Sequence, residues 1–328
     1  MIFYSWRELL PIVLAAMALD LLIGDPRRLP HPVVIIGKWT ALLERLLRNP
    51  QAPPGRLKAS GCALVPAVTI PAFALTAALC WLAGLISPWL GYAAQAWLIS
   101  TTIAVKGLKD AALDVFGRLA CGDLTEARRR VGFIVGRDTA HLDEGEVSRA
   151  AVETVAENTV DAIAAPLFFA LLGAAPLAML YRAANTLDSM VGYKNEKYRD
   201  FGWASARFDD LLNWIPARIG GMLLVWSALV TKGASAGAAW RAVRAFARLH
   251  PSPNAGIPEA AAAGALGIRL GGLNYYGGVP SERARLGWPN RAIEAEDIRR
   301  AVRLMMRAAY GLAGGLAIAW LCVLLVTD

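Results

Sequence analysis

The stretch 157-ENTVDAIAAPLFFALLGAAPLAMLYRAANTLDSM-190 carries the polar tetrapeptide N-T-[V/L]-D twice. Asn158–Asp161 leads into an apolar segment and Asn185–Asp188 leads out of it. Between them Gly173-Ala174-Ala175-Pro176 breaks the segment, leaving two arms of about eight residues, each roughly 12 Å long at 1.5 Å per residue. Neither arm crosses a hydrocarbon core of about 30 Å. A hairpin that dips in and returns fits this length, and such re-entrant backbone is tolerated where protein or a cavity surrounds it. The pattern predicts a re-entrant hairpin with Asp161 and Asp188 at one membrane surface.

Composition supports a membrane setting. The 328 residues are 56% hydrophobic with mean hydropathy +0.42, against about 45–50% apolar for soluble domains. Apolar runs predict four spanning helices, at about 5–23, 62–86, 89–105 and 309–327. Net charge is +8. With the N-terminus outside, 33 of the 34 basic residues fall on the inner side, as cytoplasmic loops require. Topology therefore explains the basic balance better than nucleic acid does. The N-terminus, with Glu8 beside Arg7 and no small-residue cleavage site before Asp25-Pro26, does not read as a signal peptide. Pro26, Pro30 and Pro32 predict extended backbone after the first span. The predicted fold is all-α, a polytopic integral membrane protein forming a single domain over 1–328, with a polar, motif-bearing region over 106–307 facing the cytoplasm.

The four cysteines share no metal-ligand or disulfide spacing, and the three histidines (His31, His141, His250) lie far apart and read as loop residues. A helix expected to start near Asp143 carries Glu146, Glu153, Glu157 and Asp161. The last three repeat every four residues and so share one face, where like charges destabilise a helix unless something compensates. A divalent cation or arginines from elsewhere would do so. The stretch Tyr193–Arg218 mixes charges with aromatics, which suits a membrane-interface belt or a pocket for a large planar anionic ligand. His250–Gly278 is rich in Gly, Ala and Pro; its glycines suit backbone approach to a phosphate or close helix packing equally well. No Walker or dinucleotide-binding glycine pattern occurs.

The stretches GDPRRLPHPV (24–33), RDTAHLDEGEVSRAAVETVAENTVDAIAAPLF (137–168), NTLDSMVGYKNEKYRDFGWASARFDDLLNWIPAR (185–218) and SPNAGIPEAAAAGALGIRLGGLNYYGG (252–278) resemble the CbiB/CobD family. The match runs in order over nearly the whole chain. The resemblance implies a multi-pass enzyme of the cell inner membrane, the adenosylcobinamide-phosphate synthase of cobalamin biosynthesis. Such a ligase joins adenosylcobyric acid to (R)-1-amino-2-propanol or its O-phosphate, with ATP as co-substrate and Mg²⁺ expected. The implied partners are the corrinoid, the aminopropanol and membrane lipid, with no nucleic acid. Carboxylates and amides suit Mg²⁺, which makes Glu153, Glu157, Asn158, Asp161, Asn185 and Asp188 the expected metal set. Lys194, Arg199 and Arg207 are expected to hold phosphates. Asn195, Asp200, Asn254 and Glu259, from the same matching stretches, complete the substrate-binding set. Asp209 or Asp210, with Asp188, is expected to act in catalysis, taking a proton from the attacking ammonium. Two alternatives stay open on the residues alone: an intramembrane Mg²⁺-dependent prenyl or diphosphate transferase, and a transporter component. Asp20, inside the first span, is open on every reading: a buried intramembrane acid would be functional, whereas one at the end of a short span snorkels to the interface.

Overall fold

A computed structural model describes residues 4–24 and 31–327. Residues 25–30, with the extended backbone expected at Pro26 and Pro30, lie outside them; Pro32, expected to be extended too, instead opens a helix, as a proline at a first helical position can. The described chain is mainly helical: α1 Trp6–Leu22, α2 Pro32–Leu47, α3 Pro54–Ile86, α4 Pro88–Ser100, α5 Val105–Ala120, α6 Leu124–Val131 and α7 Glu144–Thr159. A π-helical turn over Val160–Ala164 leads into α8 Ala165–Val191. Then follow α9 Trp203–Leu212, α10 Trp214–Leu229, α11 Ala236–Phe246, a 3₁₀ turn Ala247–Leu249, and α12 Gly256–Leu266. Strands β1 Leu270–Tyr276 and β2 Val279–Leu286 precede α13 Glu296–Thr327. Among the described residues three helical runs are long and apolar enough to cross a membrane: Pro54–Ile86, Glu144–Val191 and Glu296–Val326. Of the expected spans, the second and fourth therefore stand as long helices. The first is a 17-residue helix, and the third stops as helix at Ser100 after 13 residues, about 20 Å at 1.5 Å per residue.

The chain forms two compact units. The first comprises Met1–Ala104, Ala165–Asn213 and Gly315–Asp328. In it, Ile36, Leu64, Val68, Met179, Ala183, Leu187, Val191 and Phe201 form a buried cluster. Asp20 is buried, 2% exposed, in this unit. Its α8 is two helical arms joined at a break: Gly173 (φ −163°, ψ 37°) and Ala174 (φ 52°, ψ −150°) leave helical geometry. Phe169 and Tyr181 stack with centroids 5.1 Å apart. Twelve residues of straight helix would separate them by about 18 Å, so the arms fold back side by side. The side-chain oxygen of Gln95 accepts the Ala175 N–H at the bend (2.8 Å), and the Tyr181 hydroxyl donates to Asn213 (2.9 Å).

The second unit comprises Val105–Ala164 and Trp214–Gly314. Helices α11 and α12 approach closely because Gly264 has no Cβ: one placed there would collide with Ala242 and the Ala238 carbonyl. At Gly264, then, the close-packing reading of this stretch is realised. Immediately afterwards the chain enters an antiparallel β-hairpin, β1 on β2, turning at Gly277-Gly278, both at positive φ. This hairpin, which the sequence reading does not place, is the one sheet among the described residues, which are otherwise mainly helical as the all-α expectation has it. Leu270 and Leu286 are fully buried, and aromatic Tyr275 and Tyr276 favour the strand they occupy.

Candidate functional site

In the second unit α7 is capped by Asp143, whose carboxylate accepts the Glu146 N–H (2.7 Å). Arg149, Glu153 and Glu157 follow at four-residue intervals on one face. Here the like charges are compensated by arginines. The Glu153 carboxylate, 5% exposed, accepts from Arg137, from Arg149 (3.0 Å) and from the backbone N–H of Gly271 at the start of β1 (2.8 Å). Asn274 on β1 accepts from both guanidiniums, at 2.9 Å from Arg149. Gly271 reaches Glu153 only through its left-handed backbone (φ 80°); a side chain there would strike the Ala284 carbonyl. A β-bulge between Leu270 and Gly272 marks the same point.

Two further carboxylates face this centre. Glu157 is half-buried, and among the described residues its carboxylate makes no hydrogen bond or ion pair. Glu259, on α12, is 3% exposed, and its oxygen lies 3.7 Å from His250 Nε2. The Ser252 N–H donates to His250 Nδ1 (3.0 Å), which leaves the Nε2 edge towards Glu259. Burial, then the negative charges of Glu153 and Glu157, hold Glu259 well above the usual carboxylate range, against the pull of Arg283 and Arg137. Arg283, on β2, donates to the Tyr276 hydroxyl (2.7 Å). Burial alone would lower it; Tyr276, Glu259, Glu157 and Glu153 outweigh that and keep it cationic. Arg137, Arg149 and Gly271 also line a cavity of about 1460 Å³ within this unit.

The expected site residues divide between the units. Glu153, Glu157, Asn158, Asp161, Asn254 and Glu259 belong to the second, which brings Glu153, Glu157 and Glu259 together. The four-residue repeat ends at Glu157, because Asp161 lies in the widened π turn, a feature frequent at functional sites. Asn158 bonds back to the Thr154 carbonyl (3.0 Å). Asn254 is buried at the approach to α12, its N–H donating to Ser252 Oγ (3.2 Å).

In the first unit, Asp209 accepts from Asn213 (3.0 Å) and Asn185 (3.4 Å) in a buried network, and Asp188 lies half-buried in the last turn of α8. Asp210 pairs with Arg207 (3.5 Å) and Asp200 with Lys58 (3.6 Å). Lys194, Asn195 and Arg199 are exposed on the segment between α8 and α9, with the Asn195 side chain accepting the Tyr198 N–H (3.0 Å). Among the described residues no group of three or more His, Cys, Asp or Glu side chains is set to hold a metal ion.

Sequence reasoning missed Arg137, Arg149, Arg283, Asn274 and His250. The unbalanced acidic face did call for arginines, but nothing in the local pattern says which; Arg283 lies 126 positions after Glu157 in the chain.

The family model for the CobD/Cbib protein matches residues 13–305. A relative named "Cobalamin biosynthesis protein CobD" in Halalkalibacterium halodurans is 49% identical over 300 residues, 91% of this chain and 92% of its own. One of the same name in Geobacter metallireducens is 50% identical over 301 residues, 90% and 92%. "Cobalamin biosynthesis protein CbiB" of Salmonella typhimurium is 45% identical over 297 residues, 90% and 92%. No solved structure matches the chain. With the family model spanning most of its length and such relatives aligned along nine-tenths of it, this chain belongs to the CobD/CbiB family of cobalamin biosynthesis proteins.

Proposed function

We propose that this protein is a multi-pass enzyme of the cell inner membrane that forms an amide bond in cobalamin biosynthesis. It joins the propionate carboxyl of adenosylcobyric acid to the amine of (R)-1-amino-2-propanol or its O-phosphate, with ATP driving the ligation. The observation that carries this reading is the centre of Arg137, Arg149 and Arg283 around Glu153, Glu157 and Glu259, of which Arg137 and Arg149 line a large cavity. Activation of a carboxylate through ATP develops negative charge on several oxygens, and fixed guanidiniums in a water-poor site stabilise it. The carboxylate oxygen attacks the terminal phosphorus and ADP leaves; the amine nitrogen then attacks the acyl carbon and phosphate leaves.

The ammonium must first lose a proton. A carboxylate held above its ordinary range is a base matched to near-neutral pH, and Glu259 beside His250 meets that description. Asp209 fits less well as the base, being engaged by two amides.

Mg²⁺ usually keeps several waters and binds through one or two carboxylates plus substrate phosphates. Glu157, with no hydrogen bond or ion pair of its own among the described residues, fits as such a ligand. Glu153, filled by two arginines and a backbone N–H, does not. When bound, the ion would neutralise phosphate oxygens. The test is incubation of the membrane-embedded protein with adenosylcobyric acid, ATP, Mg²⁺ and each amine, read by mass spectrometry. A corrinoid heavier by the amine less one water supports the proposal; unchanged corrinoid with both amines refutes it.

A further inference from the structure

The cavity of about 1460 Å³ in the second unit is lined by Arg137, Arg149, Arg269, Arg285 and Arg291. It also carries Asp138, Asp143 and Glu146, but each of these is already used. Asp138 accepts the N–H groups of Gly277 (3.1 Å) and Gly278 (2.7 Å), Asp143 caps α7, and Glu146 pairs with Arg149. Behind the wall Glu153 holds Arg137 and Arg149, and Asp297 holds Arg291 (2.7 Å).

Two guanidiniums are left over. Arg269 makes no hydrogen bond or ion pair among the described residues. Arg285 has one loose contact, 3.9 Å to Glu282, with both side chains more than half exposed, a geometry worth little.

What the wall lacks is anionic oxygen, not cations: a metal ion there would meet guanidiniums. A carboxylate would offer one charge and two oxygens, whereas a phosphate group offers about −1.5 to −2 charges and three acceptor oxygens and matches the guanidinium fork.

We propose that this cavity is the phosphate-binding site of the protein and takes the phosphate-bearing substrate. The proposal rests on the function proposed above, and it moves the phosphate contacts from Lys194, Arg199 and Arg207 to Arg269 and Arg285. Nucleotide and phosphorylated aminopropanol share this chemistry, and the cavity exceeds the roughly 300–1,000 Å³ of ordinary ligand pockets, so it has room for either.

The test is titration of the full chain in detergent, at fixed ionic strength with Mg²⁺. The probes are a non-hydrolysable ATP analogue, aminopropanol O-phosphate, unphosphorylated aminopropanol, and inorganic phosphate as competitor. At least one organic phosphate should bind, inorganic phosphate should compete with it, and Arg269→Ala/Arg285→Ala should weaken it tenfold or more. Arg269→Lys/Arg285→Lys should restore part of that loss, and affinity for the unphosphorylated amine should not change. Binding of the analogue alone identifies a nucleotide site; binding of the phosphorylated amine alone identifies an amine-phosphate site. Failure of every phosphate probe to bind the wild type, or unchanged affinity in the double alanine variant, overturns the proposal. No turnover is needed, so a protein that binds phosphate here but makes no amide would sink the proposed reaction and leave this site standing.

Discussion

Glu153→Gln isolates the central arginine–carboxylate contact. The native carboxylate accepts from Arg137 on one oxygen, and from Arg149 and the Gly271 N–H on the other. Glutamine keeps one oxygen, for Arg149 and Gly271, and turns an NH₂ donor towards the Arg137 guanidinium. The pair is buried, with side-chain exposures of 6% and 7%, so water cannot take the place of the lost acceptor. Removing one partner of a buried ion pair costs about 3–5 kcal/mol. At about 2–4 °C per kcal/mol for a domain of 150–250 residues, Tm falls by about 6–20 °C. The assay is thermal unfolding in detergent with a double-mutant cycle against Arg137→Met. Because the two side chains act on each other, the double variant should recover part of the loss, with a coupling of about 1–3 kcal/mol. A Tm for Glu153→Gln within 2 °C of the wild type, or additive losses in the cycle, would refute the reasoning.

Other outcomes follow from the same geometry. Ala174→Gly should raise Tm, because φ 52° with ψ −150° is a region that costs a non-glycine residue about 1–3 kcal/mol; a lowered Tm would show that the bend carries no strain. Gln95→Leu strips the Ala175 N–H at that bend of its acceptor and should lose about 1–3 kcal/mol, measured by the same unfolding assay.

Glu259 sets a pH dependence. Its folded-state pKa lies well above that of an ordinary glutamate, so the folded protein holds this proton longer than the unfolded chain does. Stability should fall as pH rises from about 4.5 through the elevated value, and Glu259→Gln should flatten that slope. A variant with the wild-type slope from pH 5 to 9 would contradict it.

Much of the architecture could be read from local pattern. The interruption Gly173–Pro176 predicts two arms too short to span, and the stacked Phe169 and Tyr181 show them folded back. The acidic spacing of Glu153 and Glu157 predicts one face needing compensation, and it has it. The β-hairpin was legible but overlooked: paired glycines at 277–278 flanked by strand-forming tyrosines are a turn signal. Two features defeated sequence reasoning for physical reasons. The π turn after Thr159 shifts the helical repeat without any compositional mark. The arginines of the site read as part of a charge bias serving topology, because the placing of Arg283 on β2 near Glu157 on α7 depends on tertiary contacts that no short-range period encodes.

The central claim is that the arginine–carboxylate centre of the second unit carries the reaction. Product formation by Glu157→Gln, with wild-type Tm confirmed in the same sample, tests it most directly. The Glu157 carboxylate holds no hydrogen bond or ion pair among the described residues, so the substitution leaves the packing intact. The account predicts a fall in adenosylcobinamide or its phosphate of about a hundredfold or more, a loss of at least about 2.7 kcal/mol of transition-state stabilisation. Turnover within a few-fold of the wild type would place the chemistry elsewhere.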